Sequence, residues 1–324
     1  MLTAGSIAAR LAIQQARATG QIKRRRRLPA QQPPTAIELA YVRTVKSLVM
    51  TAARAAFAPL LARLPDLVAG AARRRGDDLR LDDRNEEEQA RQAVADGRAE
   101  MARQLDEHTV SGAARRVAGD VDRHVAGQLG RQIRAGLGID LGTGDDRRTR
   151  AIVEGFIHEN VALIQDITPG LASRIEGTIL KALTTGTIHE DLAKQLEEKA
   201  FGYAEQRAEL IAIDQVGKLT GQINRQRNMD LGITHFEWCC VLDVRVRGNP
   251  SGRYKRAKPS HWERHGKVFS WADGAPGRNG EKEFPGTPVR CRCGPKPVLD
   301  TLLEDLPDPG EGWDPLTAAP PGGR

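Results

Sequence analysis

The feature that most constrains this chain is a change of pattern near residue 231. Before it the sequence is rich in Ala, Leu, Arg, Glu and Gln, which are strong helix formers, and Pro169 is the single proline between Pro65 and Asp230. After it come all four tryptophans (Trp238, Trp262, Trp271 and Trp313) and all four cysteines (Cys239, Cys240, Cys291 and Cys293). A chain of 324 residues exceeds the usual size of one domain, so two or three packed units are expected. The break predicts an α+β fold class: a mainly helical N-terminal two-thirds, then a small loop-rich α+β module.

Within the first part, apolar residues at helical spacing predict a helix over 35–72, broken near Pro59 or Pro65, and one or two more between 84 and 137. Shorter helices are predicted over 145–166, stopped by Pro169, and over 170–183 and 188–199. A long one should cover 203–230, capped by Gly232. On that last helix Ala208, Ile211, Ala212, Val216, Leu219 and Ile223 form an apolar stripe that includes Gln215. A buried amide needs hydrogen-bond partners, so Gln215 should contact another part of the fold.

After Gly232 the period becomes two. Thr234, Phe236, Trp238, Cys240 and Leu242 alternate with His235, Glu237, Cys239 and Asp243, as in a strand packed on one face, with Cys240 inward and Cys239 outward. Further short strands are expected at Val268 and Phe269 and over 289–293, between turn-rich segments. The resulting division is a basic flexible segment (1–30), a helical region (31–145), a second helical part (146–231), the module (232–302) and a flexible tail (303–324).

Charge and cysteine usage narrow the setting. The 49 Lys and Arg against 42 Asp and Glu give net +7, which permits contact with DNA or an acidic partner. Lys23, Arg24, Arg25, Arg26 and Arg27 form the sharpest basic feature, a run available to polyanions without sequence preference. The clustered cysteines exclude a chain-wide disulfide framework. At the N-terminus the charges follow the apolar patches, the reverse of a signal peptide. Arg54, Arg63 and two prolines interrupt the most apolar later stretch, so no membrane span and a protein made in a reducing cytoplasm are expected.

Two constellations could carry chemistry. Cys239, Cys240, His261, His265, Cys291 and Cys293 suggest zinc. Neighbouring strand residues face opposite ways, so a Cys3His set would use one of the first pair, both later cysteines and one histidine. The Cys-x2-Cys spacing of standard zinc modules is absent, which favours buried thiols and no cofactor. Asp243, Arg245, Arg247 and His261 could be a hydrolase or nuclease cluster, or, together with Gln215, a structural polar network. No second carboxylate at metal-binding spacing, phosphate loop or nucleophile elbow accompanies them, and the preferred reading is a structural polar network with no enzyme activity. The alternative is a zinc-dependent nucleic-acid-binding protein or nuclease built on the Cys/His cluster.

The order of motifs resembles the phage Mu F-like (MuF) family of minor head, or head-morphogenesis, proteins. The pieces are Glu159-Asn160-Val161, the Arg207-to-Gln215 helix segment, Gly232 and Trp238, then Asp243, Arg245 and Arg247. His261, Gly266-Lys-Val-Phe269-Ser-Trp271 and Cys291-Arg292-Cys293 complete the series over about residues 150–300. The resemblance implies a virion protein of the head interior or portal vertex, in the host cytoplasm during assembly. Its implied partners are the portal protein and procapsid components, and packaged DNA nonspecifically, with no membrane. It implies a part in head assembly and in DNA packaging or delivery. Relatives place only a couple of residues between the last arginine of the Asp-x-Arg-Val-Arg run and the histidine, whereas 13 residues, Gly248 to Ser260, stand here. His265 also replaces a common aspartate. This insertion carries Arg253, Lys255, Arg256 and Lys258 and reads as a solvated, mobile basic loop, with DNA contact as the alternative.

Overall fold

The computed structural model describes residues 4–22, 28–29, 31–76, 85–142, 146–185, 187, 189–300 and 302. The Lys23–Arg27 run and the tail beyond 302 lie outside the described residues. Helices α1 (Ala4–Ala18), α2 (Thr35–Gly76), α3 (Asn85–Gln104), α4 (Glu107–Leu137), α5 (Asp146–Gln165), α6 (Ile167–Thr185), α7 (His189–Gln195) and α8 (Gly202–Asp230) precede five short strands. These are β1 (His235–Cys239), β2 (Val268–Ser270), β3 (Ala275–Pro276), β4 (Lys282–Glu283) and β5 (Gly294–Pro297). The α+β class read from the sequence is the one found.

The chain divides into two compact units, one comprising 35–118 and 155–215 and the other 1–34, 119–154 and 216–324. The first is all helix, with α3 packed on α2 and α6. Here α2 runs unbroken through Pro59 and Pro65, where the sequence predicts an interruption. Proline costs an interior helix about 3 kcal/mol or more. Phe57, Leu60, Leu64 and Leu67 bury a continuous face across both prolines, and that burial offsets the loss. By length and composition Thr35–Ala71 could cross a membrane, contrary to the sequence reading; Val45, Val49, Ala53 and Phe57 are fully buried within its unit, as in a core helix. Pro169 lies in the first turn of α6, where its missing N–H costs little, instead of ending a helix. The segment 188–199 does not end before α8: α7 passes through a π-helical turn, Leu196–Phe201, directly into it.

Gln215 belongs to this unit. A directed chain of hydrogen bonds runs from the Tyr41 hydroxyl to Asn160 Oδ1 (2.7 Å), from Asn160 Nδ2 to Gln215 Oε1 (3.2 Å), and from Gln215 Nε2 to Glu159 Oε1 (2.9 Å). This ties α2, α5 and α8 together inside an apolar interior. Burial holds the Tyr41 hydroxyl far above its ordinary pKa, so it stays a donor.

The other unit holds α1 and the C-terminal module. Within the segment read as basic and flexible, Ala9, Ile13 and Ala16 recur at helical spacing and are buried. They place α1 in a core with Leu129, Ile133, Leu231, Ile233 and Leu302. Helix α8 ends as expected at Gly232, whose φ of 82° permits the closing bond from Ile233 N–H to the Asn228 carbonyl. The chain then enters a three-stranded antiparallel sheet of order β2-β1-β5, while β3 and β4 form a separate pair. In β1 Phe236 and Trp238 are buried and their neighbours half-buried, the predicted alternation.

The closing strand is not at 289–293. Residues 288–291 form a turn, closed by Cys291 N–H on the Pro288 carbonyl with Arg290 at φ 55°, and β5 starts at Gly294. It carries Pro295 and Pro297, which a sheet edge tolerates because only one side of the strand must donate.

Candidate metal centre

The module's core is a set of aromatic rings with sulfur at one end. Phe236, Trp238, Trp271 and Phe284 pack with Cys240, Val246, Cys291 and Cys293, and the Phe236 and Trp271 rings stand 4.2 Å apart. Helix α8 makes room for the turn that delivers the later cysteines. A Cβ on Gly221 would lie 2.5 Å from the Pro285 carbonyl oxygen, and one on Gly217 would lie 3.2 Å from that of Cys291. Glycine at this i,i+4 pair lets the backbone of 285–291 press against the helix.

Three cysteines and one histidine converge there. Cys291 Sγ is 3.5 Å and Cys293 Sγ 3.8 Å from His261 Nδ1, and Cys293 Sγ is 3.5 Å from Cys240 Sγ. The donor atoms of His261, Cys291 and Cys293 all lie within 4.8 Å of one another. Cys240 Sγ sits 3.0 Å from the His261 carbonyl oxygen. All four residues are buried, and all four cysteines are free thiols. Hydrogen bonding to Cys293 and burial raise the Cys291 thiol well above its usual pKa; hydrogen bonding to Cys240, with burial, does the same for Cys293.

Buried polar groups surround the cluster. His261 Nε2 is 3.5 Å from Glu283 Oε2, an ion-pair distance too loose to count as a formed hydrogen bond. Arg264 Nη1 holds the same carboxylate oxygen at 2.6 Å, its guanidinium lies 4.8 Å from the Trp238 ring centre, and Nη2 reaches the Pro276 carbonyl at 2.5 Å. Nothing in the pattern around Arg264 or Glu283 marks them in the sequence; only the fold brings these residues, 19 apart, together.

The other sequence-predicted residues go elsewhere. Cys239 faces away, as strand alternation requires, and burial together with Glu237 pushes its thiol up to about 11. His265 is exposed and accepts the Cys240 backbone N–H at Nδ1 (3.1 Å). The expected network of Gln215, Asp243, Arg245, Arg247 and His261 is distributed over separate sets of contacts. Asp243 pairs with Arg245 (3.1 Å) and with Arg292, which sequence reasoning left out although it separates the two cysteines. Arg247 donates to the Val289 carbonyl (3.0 Å). Arg245, Arg247, Arg290 and Arg292 line a cleft of about 290 Å³, and the buried His261, Cys291 and Cys293 also contribute to its lining. The insertion is folded: Arg253 N–H bonds the Val244 carbonyl (2.9 Å), Gly248 N–H the Tyr254 carbonyl (3.0 Å), and Asn249 Nδ2 the Asp243 carbonyl (2.9 Å). Its cations Arg253, Lys255, Arg256 and Lys258 are exposed, and Lys258 pairs with Glu263 (3.2 Å).

Comparison with known proteins agrees with the motif order. Residues 173–295 match the family model described as "Phage Mu protein F like protein". An uncharacterized protein of Haemophilus influenzae is 26% identical over 182 residues, 56% of this chain, and the match covers 37% of that protein's length. No solved structure matches the chain.

Proposed function

We propose that this chain, whose residues 173–295 match the phage Mu F-like family model, is a bacteriophage minor head protein acting in head morphogenesis. The observation that carries the reading is the family match, which begins in α6 and ends in β5 and so takes in α8, the sheet and the whole Cys/His cluster. The protein acts at the portal vertex inside the procapsid by binding and folding, without turnover, and takes part in DNA packaging or delivery. Its partners are the portal protein and procapsid components, and packaged DNA is a nonspecific polyanion for its exposed cations.

Co-expression with the cognate portal protein and scaffolded shell tests this. The chain should sediment with portal oligomers or procapsids and be depleted from shells assembled without portal. Absence from both fractions under all assembly conditions would overturn the reading.

A further inference from the structure

The geometry points to a closed Cys3His zinc site formed by Cys240, His261, Cys291 and Cys293, which locks the module's loops onto β1. It is independent of the virion role, because it rests on donor chemistry alone.

Ideal tetrahedral zinc has Zn–S of about 2.3 Å and Zn–N of about 2.0–2.1 Å, so two bound sulfurs stand roughly 3.8 Å apart and a sulfur and a nitrogen roughly 3.5 Å apart. The observed edges are 3.5 Å for Cys240–Cys293, 3.5 Å for Cys291–His261 and 3.8 Å for Cys293–His261. These three edges link the four donors in a row, Cys240 joining through Cys293, and the donor atoms of His261, Cys291 and Cys293 lie within 4.8 Å of one another, so a metal would draw Cys240 in to close the set. A disulfide needs S–S of about 2.0 Å and is excluded by these separations.

The surroundings fit as well. Glu283, held by Arg264, stands beside His261 Nε2, the place where a carboxylate fixes a metal-binding imidazole with its other nitrogen free. The indole N–H of Trp238 is buried in the same core as these cysteines and forms no hydrogen bond to a described residue. Cys-x-Cys spacing serves because the sulfurs of Cys291 and Cys293 both approach His261 Nδ1 while the Arg292 guanidinium between them pairs with Asp243. Thiolate donors select zinc over magnesium or calcium. Four protein donors leave no coordination position for water, so the site is structural, and zinc binding releases the three thiol protons as the fold forms.

The test uses the full chain purified without chelator from cells grown with zinc. Elemental analysis should give one zinc per chain, and Cys239→Ser should leave that ratio unchanged. Cys240→Ser, Cys291→Ser and Cys293→Ser should each lower zinc affinity at least tenfold. Glu283→Gln, a positioning variant, should lower it about 10–100-fold. Where a cysteine variant fails to fold, the wild-type chain still decides the matter: replacing zinc with cobalt should produce thiolate-to-cobalt charge transfer and tetrahedral ligand-field absorption, reversed by added zinc. Wild-type protein with no stoichiometric zinc and no cobalt–thiolate absorption would overturn the proposal, as would loss of metal in Cys239→Ser equal to that in Cys240→Ser.

Discussion

Replacing Glu283 with alanine should unfold the C-terminal module far more readily than any change in apolar area would suggest. The Arg264 side chain is 7% exposed and that of Glu283 12%, and the two meet at 2.6 Å. Without the carboxylate, Arg264 keeps its bond to the Pro276 carbonyl and its place over Trp238, but its charge is left buried and uncompensated. Removing one partner of such a pair costs about 3–5 kcal/mol, whereas exchanging both for apolar residues of similar volume is often close to neutral. Glu283→Ala should therefore be much worse than Arg264→Met/Glu283→Leu, and the cycle should show a large coupling, the double variant losing far less than the sum of its singles. Trp238, Trp262 and Trp271 all lie in this module and the helical regions before residue 231 have no tryptophan, so tryptophan emission during urea unfolding reports on it selectively. With a typical slope of about 2 kcal/mol/M, the midpoint should fall by about 2 M. Zinc must be held at one concentration throughout, because ligand binding shifts apparent stability. A Glu283→Ala stability within about 0.5 kcal/mol of wild type, or a double variant as unstable as the sum of its singles, would refute the reasoning.

Three other outcomes are expected. Asn160→Leu orphans both the Tyr41 hydroxyl and Gln215 Oε1 and should cost about 2–4 kcal/mol, with Tyr41→Phe costing less; far-UV circular dichroism during denaturation checks this, and equal losses would contradict it. Gly221→Ala must displace the Pro285 carbonyl and should destabilise by about 1–3 kcal/mol, whereas Gly177→Ala, with open space around its Cβ, should stabilise by about 0.5–1 kcal/mol; shifts of the same sign in melting temperature would count against the packing argument. For Asp243, burial favours the neutral acid, but hydrogen bonds from Arg292 and the Arg245 N–H outweigh it and hold the carboxyl below its ordinary 3.8. A folded-state pKa lowered in this way stabilises fully above the ordinary value and is lost as pH falls through the folded one. Asp243→Asn should flatten the loss of stability below about pH 4, and an unchanged acid slope would show that the pairing contributes nothing.

Local pattern by itself determined the helical two-thirds, the start of β1, the inward Cys240 and outward Cys239, and the glycine cap at 232, because each follows from periods of 3.6 or 2 and from turn chemistry within a few residues. The motif order also pointed to the Mu F-like family, whose model matches residues 173–295. Tertiary structure decided what local chemistry resists. Prolines at 59 and 65 remain inside one helix because the burial of Phe57, Leu60 and Leu64 outweighs a lost hydrogen bond. Residues 289–293 turn instead of pairing, since the strand must begin at Gly294 for Trp238 to face Pro295. No spacing rule brings His261 and the Cys291–Cys293 pair to a common point with Cys240 beside Cys293, or sets Glu283 and Arg264 behind the histidine. That meeting depends on two glycines of α8, residues 217 and 221, letting a turn from far along the chain approach the helix backbone, a contact that exists only once the module is packed.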